Sequence, residues 1–65
     1  MIIVDLIKEL MFQQGKTIRD IAQETGLFYS TVENIVLKDI TPTPEEAKAI
    51  LWVLGIKLED VLSVY

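Results

Sequence analysis

Thr17–Leu37, TIRDIAQETGLFYSTVENIVL, decides the fold. Ile18, Ile21, Ala22 and Thr25 recur at i, i+3, i+4 and i+7, the spacing of one helix face. Gly26 follows, at a point where a left-handed backbone ends a helix at low steric cost. A second helix is expected to start near Tyr29 or Ser30 and to bury Val32, Ile35 and Val36. Ala22 fits the crossing of two such helices, where there is room for little more than a methyl group. The spacing is that of a helix-turn-helix, whose second helix projects side chains outward.

Working outward, Val4–Gln14 reads as a preceding helix that buries Ile3, Ile7, Leu10 and Met11 and stops at Gly15. On the other side Thr43 reads as an N-cap, with Pro44 at the first helical position and Glu45 and Glu46 in the first turn. That helix turns Ala47, Ile50, Leu51 and Leu54 inward and ends at Gly55. A fifth helix would place Leu58, Val61 and Leu62 inward. The fold class expected is therefore all-α, a single compact five-helix domain over residues 1–65 with its motif at about 17–37. The β-branched start Met1–Val4 and the end Leu62–Tyr65 can alternatively pair as short strands.

The chain is 51% hydrophobic, and these stripes do not use all of it. Met1, Ile2, Phe12, Leu37, Ile40, Trp52, Val53, Val64 and Tyr65 are left over. Single exposed apolar residues are ordinary, but this surplus is large for a monomer. A homodimer interface at Ile40, Trp52, Val53, Val64 and Tyr65 is expected.

Composition excludes several functions. With neither cysteine nor histidine, the chain lacks disulfides, the commonest metal ligands and the usual general base, so no metal site and no cofactor are expected. Glu45-Glu46 and Glu59-Asp60 read as helix-start charge, and the three glycines sit at expected helix ends instead of in a phosphate loop. Neither an enzyme nor a small-molecule pocket is expected. No apolar run approaches the roughly 20 residues of a membrane span, so no membrane partner and a cytoplasmic location are expected.

These residues resemble the lambda-repressor and Cro type of helix-turn-helix protein, the xenobiotic-response-element family. Ala22, Gly26, Val32 and Ile35 fall at its small, turn and core positions. Pro44, Leu54-Gly55-Ile56 and Leu58-Glu59-Asp60-Val61-Leu62 match its closing segments, so the likeness runs from about Leu6 to Leu62. The resemblance implies a prokaryotic or phage transcriptional regulator. It would be a dimeric repressor that binds double-stranded DNA and reads an inverted repeat through the second motif helix.

On that helix Tyr29, Ser30, Thr31, Glu33 and Asn34 point outward if Val32, Ile35 and Val36 point in. Asn34 can bond adenine at N6 and N7, Glu33 can accept from the cytosine amino group, and Tyr29 can touch a thymine methyl or the backbone. Ser30 and Thr31 either reach a base edge or phosphate or cap the helix. Glu33 is alternatively a solvated residue, and Tyr29 alternatively rolls under the core. Lys16, Arg19 and Lys38 flank the motif where phosphates would pass. The net charge is −4, however, and Asp20, Glu24, Glu33 and Asp39 lie in or beside the motif, which leaves its local balance near neutral.

Two positions depart from the family's pattern. Ile18 stands where many members carry a glutamine that contacts phosphate, and Leu37-Lys38 stand where many carry Asn-Gly. An acidic chain with surplus apolar surface also suits a second reading, a protein-interaction module of antirepressor or antitoxin type with a basic partner.

Overall fold

A computed structural model describes residues 3–56 of the chain, and these are all-helical. Four helices follow one another: α1 (Ile3–Gln14), α2 (Ile18–Thr25), α3 (Tyr29–Leu37) and α4 (Pro44–Val53). The expected fifth helix at Leu58–Leu62, the pairing of the chain ends, and Val64 and Tyr65 of the expected dimer interface lie outside the described residues. Among the described residues no strand is present, and no helix is long and apolar enough to cross a membrane.

Local sequence explains where α2 and α4 begin. Thr17 is extended and accepts from the Asp20 amide at 3.1 Å, while the Thr17 amide donates to Asp20 Oδ2 at 2.9 Å. Thr43 and Glu46 repeat the arrangement at 3.2 and 2.9 Å, with Pro44 in the first turn of α4. Each box satisfies two backbone donors that the helix leaves without partners. The Thr17 amide, and after it the Thr17 hydroxyl, holds the Asp20 carboxyl below its ordinary value.

The core is one cluster shared by all four helices: Val4, Ile7 and Met11 of α1, Ile21 and Ala22 of α2, Val32 and Ile35 of α3, and Ile50 and Leu51 of α4 with Leu54 just after it. Ala47 is buried as well. Three expected core positions are corrected. In α1 the buried stripe is Val4–Ile7–Met11, and Ile3 and Leu10 flank it half-buried, because at 100° per residue they sit to one side of the line it follows. In α3, Val36 is likewise half-buried against the core.

Between α2 and α3 the chain turns on Gly26, at φ 77°, whose amide donates to the Ala22 carbonyl at 2.9 Å. Thr25, expected on the apolar face, ties this turn through its hydroxyl. The hydroxyl donates to the Ile21 carbonyl at 2.7 Å and accepts from the Leu27 amide at 3.2 Å. Leu27 then packs inward on the core while Phe28 points out, 81% exposed. After α3 the turn falls one residue beyond Lys38, which stands where many members of the resembled family carry glycine. Leu37 is helical, Lys38 is the C-cap, and Asp39 takes the left-handed conformation at φ 55°. Aspartate is among the few non-glycine residues that tolerate it.

Candidate nucleic-acid interface

α3 has only nine residues, and its inward side is fixed by Val32 and Ile35, both fully buried. The opposite line of the helix is then set by geometry. Ser30 and Leu37 are seven residues apart, nearly two full turns, and share the centre of the outward face. Glu33 and Asn34 flank that line, half-buried, and Tyr29 stands at its edge, 50% exposed. Tyr29 is thus not under the core. Thr31 is half-buried beside the inward side.

Nor does Ser30 or Thr31 cap the helix. The N-cap is Phe28, which has no hydroxyl or carboxylate to offer, and no side chain closes this end. The Phe28 carbonyl instead accepts from the Thr31 and Val32 amides at 3.0 and 3.2 Å. Leu37, 64% exposed, adds apolar surface to a face that otherwise consists of hydrogen-bonding groups, and Phe28 is exposed at the N-cap. The sequence pattern sets Leu37 at the edge of this face; because the helix continues through Leu37, it stands at the centre.

The three expected phosphate contacts divide. Arg19 is exposed in the first turn of α2 and Lys38 is exposed at the C-cap of α3, and among the described residues neither is in an ion pair. Lys16 is committed elsewhere. It pairs with Glu24 and reaches the Val53 carbonyl at 3.4 Å, next to Gln14, whose amide donates to the Leu54 carbonyl at 2.7 Å. Lys16 and Gln14 together close the end of α4, where the helix dipole favours a cation.

The acids that crowd the motif are also largely occupied. Asp20 is held in its capping box, Glu24 pairs with Lys16, and Asp39 pairs with Lys8 across 31 residues of sequence. Glu33 is the acid left on the outward face of α3, against Arg19 and Lys38. Surface ion pairs of this kind add little to stability, but they remove negative charge from around α3.

Of the expected dimer residues, Trp52 is 65% exposed in the last turn of α4 and Ile40 is exposed in the loop before that helix. Val53 is half-buried against the core. Trp52 and Val53 border a groove of about 350 Å³ with Glu24, Thr25, Glu45, Lys48 and Ala49, between α2 and α4. Among the described residues no group of three or more potential ligands stands together for a metal ion.

Comparison with protein-family models, with curated proteins and with solved structures gives no match.

Proposed function

We propose that this chain is a helix-turn-helix domain of the lambda-repressor and Cro type, a transcriptional regulator that binds duplex DNA through α3. The observation that supports this best is the α2–Gly26–α3 unit. Ile21, Ala22, Val32 and Ile35 pin the two helices at a tight turn, and Tyr29, Ser30, Glu33 and Asn34 are left along the outer side of α3. A nine-residue helix presented this way suits the major groove, which is about 12 Å wide. Asn34 bonds adenine at N6 and N7, Glu33 accepts from a base amino group, and Ser30 reaches a base edge or phosphate.

Two such domains, related by a two-fold axis, read half-sites about 34 Å apart. Arg19 and Lys38 supply the phosphate contacts, about four in a dimer, which sets the slope of log affinity on log salt near −3.6. The exposed Trp52 is the described residue best suited to the contact between subunits. Trp52→Ala then lowers the sedimentation mass towards that of the monomer, and an unchanged mass removes Trp52 from the interface.

Selection of the purified protein on a randomised duplex pool at low salt tests the reading. Enrichment of a two-fold symmetric site supports it, and Asn34→Ala then relaxes preference at adenine with little loss on other sequences. A folded protein that enriches nothing overturns it. The exposed Phe28 and Leu37 favour a second reading in that event, a protein-interaction module with α3 at its centre.

A further inference from the structure

We infer that α3 reads the C5-methyl groups of thymine, so that its half-site is A·T-rich and its specificity rests on Phe28, Tyr29 and Leu37 as much as on hydrogen bonds. The inference rests on the DNA-binding reading of α3. It starts from what the helix lacks. YSTVENIVL contains no lysine or arginine, so it cannot make the commonest base-specific contact, a cation on guanine O6 and N7. Glu33, its one charged residue, is an acceptor, and the major-groove edge of guanine offers only acceptors in return. A guanine beneath Glu33 is therefore disfavoured.

Beside its hydrogen-bonding groups, α3 with its N-cap presents apolar surface. Phe28 is 81% exposed, Leu37 64% and Tyr29 50%. Phe28 and Leu37 bracket the helix, roughly 13 Å apart along its axis, or about four base-pair steps at 3.4 Å. Leu37 shares the central outward line with Ser30, and Asn34 lies between them. Asn34 selects adenine, and the thymine paired with that adenine carries its methyl on the same groove edge. Asn34 and the apolar side chains on this face thus favour the same base pairs, while Glu33 accepts from the amino group of either adenine or cytosine.

Two exposed cations of the motif suit a duplex as the occupant. Arg19 and Lys38 carry no ion pair among the described residues and stand ready for phosphate. Glu24 and Asp39 are each paired with a lysine, and Asp20 keeps its charge within its capping box.

Two randomised duplex pools test this, one made with thymidine and one with deoxyuridine, which pairs identically and lacks only the methyl. The thymidine pool is expected to yield an A·T-rich site. Rebuilding that site with deoxyuridine should weaken binding roughly fourfold per buried methyl, or about 15- to 60-fold for two to three contacts. The double variant Phe28→Ala, Leu37→Ala, with its helical content checked by circular dichroism, should bind the two forms of the site nearly alike. Equal affinity of the unaltered protein for both forms overturns the methyl reading while leaving DNA binding in place. Retention of neither pool overturns DNA binding itself, and with it the methyl reading, and assigns the apolar face of α3 to a protein partner.

Discussion

α2 and α4 begin in the same way, and α3 does not. Thr17–Asp20 and Thr43–Glu46 each close a reciprocal pair of hydrogen bonds, so both helices are specified by their own first turns. α3 starts on Phe28, has no side-chain cap, contains one charged residue and ends on a left-handed aspartate. Its place is set almost wholly by Val32 and Ile35 entering the core. Two helices are locally over-determined and form the frame. The third is held by tertiary packing, which leaves its outer residues free to be chosen for contact. Departures from local rules collecting on one helix are what a binding surface produces.

The largest expected effect follows from that dependence. Ile35→Ala should destabilise the domain by about 2–5 kcal/mol, a large share of what a chain this short can hold. Urea unfolding followed by far-UV circular dichroism reads it. A loss below about 1 kcal/mol would mean that α3 is anchored by something other than its inward face. Next come the caps. Thr17→Ala and Thr43→Ala should each cost about 1 kcal/mol, whereas Phe28→Ser, which supplies the missing cap, should stabilise by up to about 1 kcal/mol while weakening DNA binding. If Phe28→Ser destabilises, Phe28 contributes packing that its exposure does not reveal, and the contrast between frame and site narrows.

The smallest effect concerns acid. Asp20 has a lowered pKa in the folded chain because the Thr17 amide and then the Thr17 hydroxyl favour its charged form. A depressed carboxyl stabilises the fold above its unfolded value of about 3.9, and that contribution is lost as pH falls through the lower, folded value. Asp20→Asn should therefore flatten the fall of the thermal midpoint below about pH 4. An unchanged pH profile in the variant would show that the capping box carries no linkage.

What the sequence made legible divides along the same line. Thr43, Pro44, Gly26 and the stripes of α2 and α4 were readable because each is a local pattern with a local cause: a cap, a fixed φ, a period near 3.6. Lys16 was not, because its partners are Glu24 and the end of α4, positions that only the folded chain brings to it. The Lys8–Asp39 pair, which neutralises an acid beside α3, is hidden for the same reason. The position of Leu37 turns on a single residue of helix length. A leucine at the end of a helix reads as a boundary residue until Asp39 is seen to carry the turn. Thr25 had a signal that went unused, a hydroxyl residue directly before the turn glycine, where it can bond both the carbonyl behind it and the amide ahead.

The central claim, that the outer face of α3 is the surface that meets DNA, is tested most directly by amide chemical shifts. A short A·T-rich duplex titrated into isotopically labelled protein at low salt should move the resonances of Tyr29–Leu37 together with Arg19 and Lys38, and leave Ala47–Leu51 in place. Shifts confined to Trp52 and its groove, or no shifts at all, would contradict it.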